Sequence, residues 1–127
     1  MSAGPILIVD DDLDIREMLA EALQDQGFGV VTAANGLEAA KLIRSMASPP
    51  SLILLDLMMP VMDGYAFLRE RSGDSLLASI PVAIITASHR VDLDQVGIGP
   101  RIIQKPIDLE RLVDTIEDLS SGDCTVH

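Results

Sequence analysis

The sequence predicts a single α/β domain, a doubly wound sheet of five parallel strands with helices on both faces. Two observations carry that prediction. Short aliphatic runs alternate with amphipathic segments along the chain, and the run "SLILL" (51–55) is apolar throughout, as in a strand buried on both faces. At 127 residues the chain fits one domain. A chain of that size buries about two-thirds of the surface its unfolded form exposes, enough for a true core.

The elements follow in order. "PILIV" (5–9) reads as the first strand, and "LDIREMLAEALQDQG" (13–27) as a helix with Ile15, Met18, Leu19, Ala22 and Leu23 on one face. Gly27 and Gly29 suit its stop. "VVTAA" (30–34) is a second strand; Asn35-Gly36 introduces the helix "LEAAKLIRSMA" (37–47), which Pro49-Pro50 cannot continue. After the third strand, "YAFLRERS" (65–72) reads as a helix followed by a loop around "GDS". "IPVAII" (80–85) and "RIIQ" (101–104) are strands four and five. "DLERLVDTIEDL" (108–119) closes the domain as a helix, with Leu109, Leu112, Val113, Ile116 and Leu119 on one face and Asp108 as N-cap. Residues 1–119 form the expected domain, and "SSGDCTVH" (120–127) reads as a flexible tail.

Composition narrows the function. Hydrophobic residues make up 48%, but the aromatics are only Phe28, Tyr65 and Phe67, so the core is aliphatic. A net charge of −11 disfavours gripping a phosphate backbone, and direct nucleic-acid binding is not expected. Cys124 is the lone cysteine, so no internal disulfide forms. The apolar run in "MSAGPILIV" is too short for a signal peptide or a membrane span; a cytoplasmic location without membrane insertion is the expectation.

The chemistry lies where the strands end. Strand one runs into Asp10, Asp11 and Asp12, strand three into Asp56, strand four into Thr86 and strand five into Lys105. Ligands of an open parallel sheet bind beyond these carboxyl ends, where strand order reverses. If strands one and three are neighbours there, Asp10, Asp11 and Asp56 converge, with Thr86 and Lys105 approaching from the other side. Like charges about 4 Å apart repel by roughly 4 kcal/mol at an effective dielectric near 20. A hard divalent cation that takes oxygen ligands, Mg²⁺ above all, would offset that repulsion. It would also attract phosphate, and a carboxylate can serve as the nucleophile that accepts a phosphoryl group. Asp56, between "LL" and a loop, is the best candidate.

With those residues placed, the chain resembles the receiver domain of two-component response regulators, of the chemotaxis-regulator kind, over nearly its whole length. The resemblance rests on "ILIVDDD" (6–12), "LLDLMMPVMDG" (54–64), "IPVAIITAS" (80–88) and "QKP" (104–106), in that order and at those intervals. It implies a flavodoxin-like strand order 2-1-3-4-5. It further implies a bacterial phosphorelay protein in which Asp56 accepts a phosphoryl group from a sensor histidine kinase or a phosphotransfer protein. Asp11 would then ligate Mg²⁺ directly, Asp10 through water, and Asp56 and the backbone carbonyl of Met58 would add further oxygens. Thr86 would hydrogen-bond the phosphoryl group, Lys105 would pair with its charge, and Pro106 would follow a cis peptide bond. Such a domain is a signalling switch rather than an enzyme on external substrates, and it acts on a downstream protein partner or output domain; a homodimer is left open. Two departures stand out. Ile102 occupies a position where the family often has an aromatic residue, and "HRVDLDQVGIGP" (89–100) is short and broken by Gly97, Gly99 and Pro100, so the fourth helix is expected to be stunted or irregular.

Other readings of the same residues weigh less. Asp12 is expected simply to cap the helix that follows. Asp10, Asp12, Asp14 and Glu21 mimic a calcium loop, but Ile15 stands where the turn requires Gly, and a strand rather than a helix precedes it. Met58, Met59 and Met62 read as packing, and His89 and His127 make no zinc site. A phosphatase with an aspartate nucleophile usually carries a second acid two residues on, where this chain has Met58. A phosphorylation-independent interaction module remains the alternative, motivated by Ile102 and segment 89–100.

Overall fold

The computed structural model of the protein describes residues 4–56, 64–86, 101–104 and 107–120. Along them run β1 (Ile6–Val9), α1 (Leu13–Asp25), β2 (Val30–Ala33), α2 (Gly36–Ser45), β3 (Leu52–Asp56), α3 (Gly64–Ser72), α4 (Ser75–Ala78), β4 (Val82–Thr86), β5 (Arg101–Gln104) and α5 (Leu109–Ser120). The strands pair in parallel in the order β2-β1-β3-β4-β5. That is the doubly wound, flavodoxin-like order expected from the sequence. The segment 89–100, where a stunted helix was expected, lies outside the described residues.

Alternation along the central strands builds two cores. Leu7 and Val9, Ile53 and Leu55, and Val82 and Ile84 face α2, α3 and α4, where they meet Ile43, Phe67 and Leu77. Ile6 and Ile8, Leu52 and Leu54, and Ala83 and Ile85 face α1 and α5, packing on Leu19, Leu23, Leu112 and Ile116. A strand buried on both faces has no polar side, which is why β1 and β3 read as unbroken aliphatic runs. No helix among the described residues is long and apolar enough to cross a membrane.

Local chemistry sets the helix ends. Asp12 caps α1, its side chain accepting from the Asp14 and Ile15 N–H groups. At the other end, Phe28 N–H donates to Leu23 O and Gly27 N–H to Gln24 O, a Schellman stop in which Gly27 takes φ +94°. Asn35 caps α2 by accepting from Glu38 N–H, while Glu38 accepts from Ala34 N–H. Asp108 accepts from Glu110 N–H at the start of α5.

Two expectations need correction. The sequence periodicity puts Met18 on one face of α1 with Ile15 and Leu19, yet it is 54% exposed. At 3.6 residues per turn it stands roughly 80° round from the centre of the Ile15–Leu19–Ala22–Leu23 stripe. The segment around "GDS" is more than a loop: Asp74 accepts from the Leu76 and Leu77 N–H groups and so caps the single turn α4. Asp74 also pairs with Arg44 on α2. Arg71, on α3, donates to the carbonyls of Ala78 and Ile80, tying α3 to the approach of β4. Burial pulls its pKa downward.

Candidate functional site

Parallel register places the strand ends side by side. Val9 pairs with Leu55, so Asp10 follows β1 level with Asp56 at the end of β3. Asp56 in turn pairs with Ile85, and Thr86 ends β4 one residue further on. Oxygens of Asp10, Asp11 and Asp56 all lie within 4.8 Å of one another. The sequence expectation that strands one and three are neighbours thus holds, and three carboxylates meet at one edge of the sheet.

Their surroundings differ. Asp10, Asp56 and Thr86 are buried, whereas Asp11 faces solvent. Asp10 is held at each of its polar groups. Its N–H donates to Ala33 O at 3.2 Å, its Oδ1 accepts from Asp12 N–H at 2.9 Å, and its carbonyl accepts from the Arg16 guanidinium at 2.7 Å. Arg16 was not singled out from the sequence. The signal available was a cation in the opening turns of a helix that follows three acids.

The donor set is all carboxylate oxygen, which suits a hard divalent cation such as Mg²⁺, whereas zinc sites commonly include nitrogen or sulfur. Opposite corners of a magnesium octahedron are about 4.2 Å apart, given ligands at about 2.1 Å. The three acids, within 4.8 Å of one another, have oxygens near enough to share one such ion. Lys105 and Met58, the other expected site residues, lie outside the described residues, as does Pro106.

The family model of the response regulator receiver domain matches residues 6–117. The chain belongs to that family. As a receiver domain it is part of two-component signalling, and the curated proteins it resembles include bacterial and plastid regulators. It is 34% identical over 119 residues to response regulator Rre1 of Synechocystis, a match covering 90% of this chain and 50% of that protein. The chain spans about half the length of the curated relatives it matches. It is similar to the receiver domain of a signal transduction histidine kinase from Syntrophus aciditrophicus, with 33% identity, a TM-score of 0.82, and coverage of 98% of this chain and 96% of that one. At 22% identity it shares the fold of the receiver domain of a sensor histidine kinase from Pseudomonas aeruginosa, with a TM-score of 0.83 and coverage of 95% and 100%. That neighbour has a magnesium ion coordinated in its active-site cleft.

Proposed function

We propose that this receiver domain accepts a phosphoryl group on Asp56 in a Mg²⁺-dependent reaction and, by changing conformation, controls a protein partner. The observation that carries the reading is the meeting of Asp10, Asp11 and Asp56 within 4.8 Å at the end of a sheet otherwise built from aliphatic strands. Like charges held that close in a partly buried edge are costly unless a cation joins them.

In the reaction, an Asp56 oxygen attacks the phosphorus of a phosphohistidine. The new O–P bond forms as the P–N bond breaks, and the leaving imidazole nitrogen takes up a proton from solvent. Asp10, Asp11, Asp56 and the Met58 carbonyl would hold Mg²⁺, which supplies charge neutralisation for the phosphoryl oxygens when bound. Lys105 would pair with the phosphoryl charge and Thr86 would donate its hydroxyl to it. Donors of this kind are sensor histidine kinases or phosphotransfer proteins, and the setting is the cytoplasm. The domain catalyses only its own phosphorylation and dephosphorylation.

A phosphoryl group brings about −1.5 to −2 charge and three acceptor oxygens to a buried corner. Moving a two-state packing from 1:99 to 99:1 takes about 5.5 kcal/mol of differential stabilisation. New bonds to Thr86, Lys105 and the cation are the source available for it.

Incubation with a small acyl phosphate and Mg²⁺ should add one phosphoryl group per chain, detected by intact mass. Chelation or Asp56→Asn should abolish the addition; labelling that survives in the Asn variant would refute the assignment. A second reading, a phosphorylation-independent interaction module, draws on the 37% exposure of Ile102 on β5. Partner binding or oligomeric state that is the same with and without phosphorylation would favour it.

A further inference from the structure

The guanidinium of Arg16 reaches back across the turn between β1 and α1 to the carbonyl oxygen of Asp10. We propose that Arg16 is a positioning residue for divalent-cation binding: by gripping this carbonyl, it aims Asp10 and Asp11 together at the Asp56 side of the crevice. The inference rests on the metal-dependent reading above and deepens it.

The geometry follows from the helix. Asp12 is the N-cap, and Arg16 donates its backbone N–H to Asp12 O at 3.0 Å, closing the first intrahelical bond. Side chains of a helix tilt toward its N-terminus, so from this position the long arginine stem runs back over the turn. It is half-buried and lines a cleft of about 310 Å³ between α1 and β2, as do Leu13, Ala20, Val31 and Thr32. An arginine can lay its aliphatic carbons along such a surface, and here the charged end reaches the Asp10 carbonyl.

The carbonyl it grips belongs to the peptide unit joining Asp10 to Asp11. That unit is planar, so fixing its oxygen also fixes the direction of the Asp11 N–H and Cα. The Asp10 N–H and side chain are already held by Ala33 O and Asp12 N–H. The bond from Arg16 therefore constrains the joint between a buried ligand and an exposed one. Asp11 has no burial of its own to hold it in place.

Simple electrostatics predicts the opposite role. A cation near the start of a helix opposes the macrodipole, and a fixed positive charge beside a cation site repels the incoming ion. If Arg16 acted through charge alone, removing it would tighten metal binding. If it acts by positioning, removing it weakens binding, so the sign of the change separates the two.

The test is Mn²⁺ affinity of the whole chain, read from the electron paramagnetic resonance of free Mn²⁺, with Mg²⁺ as competitor. Removing groups that orient metal ligands typically weakens affinity about 10- to 100-fold. Arg16→Met, which keeps the apolar stem but loses the donor and the charge, should raise the dissociation constant about tenfold. Arg16→Lys, which keeps a donor and the charge on a slightly shorter stem, should recover part of that loss. Circular dichroism and urea unfolding of each variant, run at the same temperature, establish that the titrated chain is folded. Unchanged or tighter binding by a folded Arg16→Met variant overturns the positioning role while leaving the proposed function standing. Equal weakening in Arg16→Lys and Arg16→Met overturns it as well. Wild-type protein that binds neither ion overturns the proposed function, and the positioning role with it.

Discussion

Replacing Asp10 by Asn should stabilise the domain without Mg²⁺ and lose that advantage when Mg²⁺ is present. Two unit charges 4.8 Å apart repel by about 3.5 kcal/mol at an effective dielectric near 20, and Asp10 meets both Asp56 and Asp11 within that distance. The Asp11 share is small because that side chain is in solvent. The Asn Oδ1 can still accept from Asp12 N–H, the bond that Asp10 makes at 2.9 Å. Other hydrogen bonds to the carboxylate weaken when its charge is removed, so the expected net gain is about 1 to 2 kcal/mol. Saturating Mg²⁺ reverses the ranking. A ligand at 100 times its dissociation constant stabilises the native state by about 2.7 kcal/mol, and only the wild type retains the full ligand set. Urea unfolding with and without Mg²⁺ reads both numbers from the shift in midpoint. A variant that is less stable without metal, or equally favoured in both conditions, would refute the idea that repulsion among these acids is relieved by a cation.

Three further outcomes follow from the fold. Leu54→Ala, in the fully buried row facing α1 and α5, should cost about 2 to 5 kcal/mol in urea unfolding. Gly27→Ala should cost about 1 to 2 kcal/mol through backbone strain alone, since φ is +94° and an added Cβ would meet nothing within 4 Å. Asp74 is held below the ordinary carboxylate range chiefly by the Leu77 N–H and also by Arg44 and Leu76, against an opposing effect of desolvation. A lowered folded pKa gives stability that is present above the unfolded pKa and lost as pH falls through the folded one. The urea midpoint difference between wild type and Asp74→Asn should therefore be flat near neutrality and shrink on acidification below about pH 4.

Much of this architecture could be read from the sequence because parallel strands buried on both faces leave a plain mark. "ILIV" and "LILL" have no polar side, and the acids that follow them can only stand at strand ends. Register then does what sequence cannot. It was the pairing of Val9 with Leu55 that brought Asp10 level with Asp56. Helix faces were less legible: Met18 fits the apolar periodicity of α1 but lies at the margin of the stripe, in solvent. The turn α4 was missed because it is too short for a periodic signal, although Asp74 ahead of "SLLA" is a fitting N-cap. The Arg44–Asp74 pair depends on how separate elements come together, and no local pattern marks it.

The most direct measurement is the site of modification. Borohydride reduction of an acyl phosphate converts the aspartate that carries it into homoserine, and peptide mass mapping then locates that residue. After reaction with a small acyl-phosphate donor and Mg²⁺, homoserine should appear at position 56, with Asp10 and Asp11 unchanged. Homoserine at position 10 or 11, or none at any position, would contradict the account.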